Sequence, residues 1–321
     1  MLHRLLDLLL TIFRFLSSPL LRQKPQPAVC VARHGAREDY ACKSRGVNWQ
    51  EQAERPWDPP LTEGGVMQGA ALGSGVKDHL TRLGRRKITK IISSPLLRCL
   101  QTAAAAADKL GVTEICIEPA LTEGMLEDWY RSWAVPGADS TWGGPAHSRV
   151  GTPHPPRESL HKAALQPADT LLMSPEEATA ALKAHGSVQG VAISRDYIPL
   201  SGFHLAKSYG EFETEQELGD RMEAVVNALA ERYEKEDSGS ILLCSHGGPC
   251  GHAYRRLLGA RRLRGLNAGY TALYIFVRSS RGWLAPVAAD QSHLDNLEGV
   301  SPNGFAPEPK SGPNDYAEQK D

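Results

Sequence analysis

Two histidines and three arginines stand directly after short apolar runs in this sequence. Arg33, His34 and Arg37 follow residues 28–32 (AVCVA), Arg98 follows residues 90–93 (KIIS) through the stretch SSPLL, and His246 follows the run SILLC at 240–244. Runs of this kind suit buried strands of a parallel sheet. Open α/β sheets bind ligands in the crevice outside the carboxyl ends of their strands. Three strand exits would therefore bring two imidazoles and three guanidinium groups to one place. Cations gathered like this repel one another unless an anion lies among them. A guanidinium offers paired donors to phosphate oxygens and stays charged at any working pH, so phosphate is the natural guest. The tripeptide RHG alone carries little weight; the joint placement at strand exits carries the argument.

The elements that must hold these side chains are legible in outline. Residues 28–32, 90–93, 115–118, 240–244 and 271–277 are strand-like. Helical patterns cover 97–110, 211–235 and 249–258. In the second of these, Leu218, Met222, Val225, Val226, Leu229 and Tyr233 recur at steps of three and four, behind an acidic start that suits the helix dipole. Alternation of the two kinds predicts an α/β layered domain, with a mostly parallel central sheet flanked by helices.

The composition fits one large domain with additions. The chain has 321 residues, 41% of them hydrophobic and 23% charged, which is globular rather than disordered. Its net charge of −1 argues against a dedicated nucleic-acid binder. Six cysteines without a CxxC pair read as reduced, mostly buried thiols of an intracellular protein. Residues 1–21 are apolar but interrupted by His3, Arg4, Asp7 and Arg14, too broken to span a bilayer. They suit an amphipathic helix, either docked on the domain or lying on a membrane surface or targeting an organelle; a signal peptide suits them less. Residues 22–27 read as a linker, so the expected plan is a helix and linker over 1–27, a domain over 28–289 and a disordered tail over 290–321. Within the domain, 137–190 reads as an irregular insertion dense in Gly, Pro and His. His147, His154 and His161 recur there every seven residues without carboxylate or cysteine partners, a poor metal site. The basic run at Arg255, Arg256, Arg261, Arg262 and Arg264 suits a solvated helix end.

Several segments taken together resemble the histidine phosphatase superfamily, also called phosphoglycerate-mutase-like. They are residues 31–37 (VARHGAR), 57–64 (WDPPLTEG) with Gln68, 93–103 (SSPLLRCLQTA), 121–129 (LTEGMLEDW) and 245–247 (SHG). The RHGxR form, RCLQTA and NAGYTALYIF look closest to the branch of protein-tyrosine and steroid-phosphate phosphatases that includes the suppressors of T-cell-receptor signalling. The resemblance covers roughly residues 28–286. It implies a phosphoglycerate-mutase-like fold, no metal, no cofactor, and hydrolysis of phosphomonoesters, whether small molecules or phosphoproteins. It also implies that His34 is the nucleophile, that Arg33, Arg37, Arg98 and His246 form the phosphate pocket, and that Glu123 moves the proton. The neighbouring Glu127 remains an alternative donor. A neutral imidazole is nucleophilic, and phosphoryl transfer needs mainly positioning and charge stabilisation, so these roles agree with elementary chemistry.

The chain departs from the family where Ala36 stands in place of the usual Glu or Gln, and the continuation AREDYAC differs from that of mutases. A mutase would need a second anion site, for which Arg149, Arg157 and Arg195 are available, though solvated loop arginines are the plainer account. A binding module without turnover is a further alternative, disfavoured because every chemical position is filled. Trp129, Tyr130, Trp133, Tyr197 and Phe203 could wall an aromatic leaving group or belong to the core.

Overall fold

The computed structural model describes residues 25–142, 153–186, 190–203, 205, 207–236, 238–259, 268–297 and 300. A seven-stranded sheet runs in the order β4-β3-β2-β5-β1-β6-β7. Its strands are β1 (Val29–Arg33), β2 (Ile88–Ser93), β3 (Glu114–Ile117), β4 (Ala192–Ile193), β5 (Ser240–Ser245), β6 (Leu273–Ser279) and β7 (Gly282–Asp290). From β4 to β1 the strands are parallel, and β6 with β7 closes the other edge as an antiparallel hairpin. The five strands expected from sequence are present within two residues of their predicted limits. The helices are α1 (Glu38–Ser44), α2 (Trp49–Gln52), α3 (Glu63–Arg82), α4 (Leu97–Leu110), α5 (Glu127–Ala134), α6 (Pro175–Ala184), α7 (Glu215–Lys235) and α8 (Gly247–Leu258).

Alternation along β1 sends Cys30 and Ala32 to one face of the sheet, Val29 and Val31 to the other. The first pair joins Leu72 and Val76 of α3, Leu100 of α4 and Leu182 of α6. The second joins Met222, Val225 and Leu229 of α7 and Ala253 of α8. Three layers result, as the alternating pattern predicts. A separate aromatic core holds Trp57, Trp129, Tyr130 and Trp133 beside Leu160, Ala164, Ala168 and Leu171. The three aromatics of α5 are thus core side chains, each no more than 3% exposed.

Four features depart from the sequence expectations. Helix α3 is absent from the periodicity because its glycines weaken helix propensity. Two of them are needed where they stand: a Cβ on Gly73 would lie 2.6 Å from the Ala106 carbonyl oxygen, and one on Gly69 would lie 3.2 Å from that of Thr102, so α3 can lie flat against α4. Helix α7 starts at Glu215 rather than 211, where Thr214 and Glu217 form a capping box. The described part of the 137–190 insertion is not irregular throughout, since it carries α6, started by a Ser174–Glu177 capping box. Finally, β7 reaches Asp290, and a turn at Ser292–Leu294 buries Leu294, so packed chain continues past residue 289. The amphipathic helix expected at 1–21, His147, Arg149, Arg261, Arg262, Arg264 and the tail at 301–321 lie outside the described residues. Among the described residues no helix is long and apolar enough to cross a membrane. All six cysteines are buried and free.

Candidate active site

The crevice at the carboxyl ends of β1, β5 and β2 is stitched by backbone hydrogen bonds that continue the strand pairing beyond the sheet. His34 N donates to Ser245 O at 2.9 Å, Ser94 N to Cys244 O at 2.9 Å, and Glu118 N to Ser93 O at 2.9 Å. The loop after β1 is held on α3 and α4. Gly35 N donates to Thr102 Oγ1 and Ala36 N to Gln68 Oε1, both at 2.9 Å. A Cβ on Gly35 would fall on the Gly65 carbonyl, and one on Gly65 on the Ala36 carbonyl. Two glycines therefore let the RHG loop touch the start of α3 backbone to backbone.

This framework fixes the chemistry of His34. Its ring is 1% exposed, and its Nδ1 lies 2.7 Å from the Gly35 carbonyl oxygen. A carbonyl can only accept, so Nδ1 carries the proton and Nε2 the lone pair. Burial, followed by the charges of Arg98, Arg33, His246 and Arg37, holds the imidazole well below its ordinary 6.5. A neutral ring in this tautomer presents the lone pair of Nε2. His246 caps α8 and is fully buried, with its ring centre 5.3 Å from that of His34. Ser94 Oγ lies 2.9 Å from its Nε2 and Glu123 Oε2 3.6 Å from its Nδ1. Burial, then Arg98 and Arg37, lowers its pKa as well.

The arginines converge as predicted, each braced differently. Arg98, in the first turn of α4, is wholly buried; its Nη1 donates to Trp57 O at 3.3 Å and lies 3.7 Å from Asp58 Oδ1. Asp58 Oδ1 also accepts from Leu97 N at 2.7 Å, so one carboxylate anchors both the helix start and the guanidinium. Arg33 Nη1 donates to Ala268 O at 2.6 Å, and its guanidinium lies over the Tyr270 ring at 4.4 Å. Arg37 grips Asp39 with two nitrogens, Nε to Oδ1 at 2.9 Å and Nη2 to Oδ2, and Nη2 reaches Ser140 O at 3.0 Å. Among the described residues, no acceptor pairs with Arg33 Nε, Arg98 Nε or Arg98 Nη2, although all three atoms are buried. Buried donors are rarely left unmatched, so this set fits an oxyanion with several acceptor oxygens. The N-termini of α4 and α8 face the same crevice and favour negative charge there.

The two carboxylates left open by sequence are separated by the structure. Glu123 is 8% exposed, accepts from Gly124 N at 3.0 Å and faces His246. Glu127 is in the first turn of α5, where it accepts from Arg131 Nε at 2.7 Å and lies 3.5 Å from His154 Nδ1. His154 and His161 do not meet at a common point: His154 stacks on Phe212, and His161 caps a 3₁₀ turn beside Trp57 and Trp133. Arg157 and Arg195, candidates for a second anion site, are exposed. Tyr197 and Phe203 line a separate cleft with Ile117 and Leu205. The sequence assigns no role to Asp39, Asp58, Ser94 and Tyr270, although each lies inside a quoted segment; their contacts with the site are spatial.

Residues 29–195 and 197–290 match the family model of the histidine phosphatase superfamily (branch 1). No curated protein matches the chain. Solved structures that resemble it include an ecdysone phosphate phosphatase from Bombix mori in complex with tungstate, 19% identical, with 91% of this chain and 98% of that one covered and a TM-score of 0.49. A phosphoserine phosphatase variant from Entamoeba histolytica in complex with phosphoserine is 16% identical, covering 84% and 100%, with a TM-score of 0.44. A phosphoglycerate mutase from Bacillus anthracis is 16% identical, covering 88% and 99%, with a TM-score of 0.45.

Proposed function

The chain belongs to the histidine phosphatase superfamily, and from that premise we propose that it hydrolyses phosphomonoesters at the His34 crevice through a covalent phosphohistidine. The observation that carries this assignment is the set of buried, unmatched N–H donors of Arg33 and Arg98 beside a neutral imidazole with a free Nε2. The donors hold the equatorial oxygens of the phosphoryl group. Nε2 attacks phosphorus while the ester oxygen leaves on the opposite side and takes a proton from Glu123. Water then attacks the phosphohistidine, giving its proton back to Glu123, and orthophosphate departs. His246 and Arg37 complete the cage, and Ser94 orients the His246 ring through Nε2.

The panel that tests this is phosphomonoesters with alkyl, aryl and sugar leaving groups, 3-phosphoglycerate among them, followed by release of orthophosphate. Hydrolysis without interconversion of phosphoglycerates is expected. Phosphoryl return to the glycerate would make the enzyme a mutase instead. The forms RHGxR and RCLQTA support a place near the protein-tyrosine and steroid-phosphate phosphatases.

We further infer that residues 1–21 tether the domain to a membrane surface through an amphipathic helix, with 22–27 as linker. Deleting residues 1–24 should leave turnover nearly unchanged and move the protein from the membrane to the soluble fraction. Unfolding of the truncated chain would contradict the tether.

A further inference from the structure

The segment that leads into β6 touches the cage at three points. Ala268 O accepts from Arg33 Nη1 at 2.6 Å, the Tyr270 ring lies 4.4 Å from the Arg33 guanidinium, and Thr271 N donates to His34 O at 3.2 Å. The same ring stands 5.9 Å from that of His34, tilted by 48°. Tyr270 is 9% exposed. Thr271 has φ +55, a conformation that a β-branched residue adopts only under constraint. That constraint comes from beyond β7. Gln291 Nε2 donates to Tyr270 O at 2.8 Å, and His293 Nε2 lies 3.0 Å from Thr271 Oγ1. Residues 291–293 thus hold a strained turn that places a tyrosine ring under the guanidinium of Arg33.

We propose that Tyr270 is a positioning residue that orients Arg33 for the phosphoryl group through the face of its ring, an inference that rests on the hydrolase assignment of the His34 crevice. Arginine loses considerable rotamer freedom when it is fixed. Here one nitrogen is tied to Ala268 and the guanidinium carbon lies over the Tyr270 ring, while the buried Nε has no acceptor among the described residues. A guanidinium over an aromatic face is held more strongly once both are out of water.

A double-mutant cycle on the full chain tests it, read as kcat/KM on p-nitrophenyl phosphate and, independently of turnover, as affinity for orthophosphate by calorimetry. Tyr270→Phe should stay within about 3-fold of the parent, whereas Tyr270→Leu should lose about 10-fold or more in both readouts. In an Arg33→Ala background, Tyr270→Leu should change either readout by less than about 2-fold, because the residue acts through Arg33. Trifluorophenylalanine at position 270 fills the place of Phe with a weakened ring face; it should fall below Phe and serves if the leucine variant is unstable. Equal damage by Phe and Leu, or a leucine effect of the same size with and without Arg33, overturns the proposal. A protein that binds orthophosphate with the expected cycle but releases none from any ester would overturn the hydrolase assignment and leave the role of Tyr270 standing.

Discussion

The imidazoles of His34 and His246 meet edge to face, with ring centres 5.3 Å apart and planes at 66°, and both residues are buried. Burial first, and then the charges of Arg98, Arg33 and Arg37, hold both imidazoles below the ordinary histidine range, with His246 adding to the effect on His34.

One consequence is pH-dependent. Because both groups bind protons less readily in the folded chain, acid below the ordinary value of 6.5 is taken up first by the unfolded chain, and stability falls as pH falls. The urea midpoint should therefore decline from about pH 7 towards about pH 5. The ring resonances of both histidines should not titrate across about pH 7.5 to 5.5. A His34 titration centred near 6.5 would show that the site is wetter and less cationic than described.

Arg98 is wholly buried, with Nη1 bonded to Trp57 O and close to Asp58. Losing one donor to a developing oxyanion lowers rates by about 10²–10³. Arg98→Ala should fall by at least that order in kcat/KM. Arg98→Lys should recover only part, since an ammonium has no planar fork. A lysine variant near the parent value would count against paired donation.

Glu123, the proposed proton donor, faces His246, whereas Glu127 pairs with Arg131. General acid catalysis contributes about 10²–10⁴-fold where the leaving group is poor. Glu123→Gln should impair an alkyl phosphate far more than p-nitrophenyl phosphate, and Glu127→Gln should affect both alike. The reverse pattern would transfer the role to Glu127.

Backbone contact between the RHG loop and α3 gives a test without touching a charged group. Gly65→Ala places a methyl on the Ala36 carbonyl, which must shift and carry His34 with it. Stability should drop by about 1–3 kcal/mol, as overpacking does. Activity should drop further than heat or urea curves account for. An alanine variant with parental turnover would mean that the loop moves freely.

Much of this site was legible in the sequence because its charged members each follow a strand. Arg33, Arg98 and His246 stand one to five residues beyond apolar runs, and the parallel order of β2, β5 and β1 brings those exits together. What stayed hidden depends on contacts without a local pattern. Asp58 reaches Arg98 and the α4 start from a loop, Gln68 and Thr102 reach the RHG loop from helices, and Tyr270 is placed by Gln291. Helix α3 was hidden by the same glycines that let it pack. Strand β4 has two residues, too short for any pattern, and β7 carries Pro286 at the sheet edge, where a missing N–H is tolerated.

In the proposed reaction phosphorus becomes bonded to His34 Nε2. Rapid quenching of the enzyme with a ³²P-labelled monoester should trap label that is stable to base, labile to acid and located by peptide mapping at His34. His34→Ala should fold normally, take no label and release no orthophosphate. Label at another residue, or turnover surviving in His34→Ala, would contradict the mechanism.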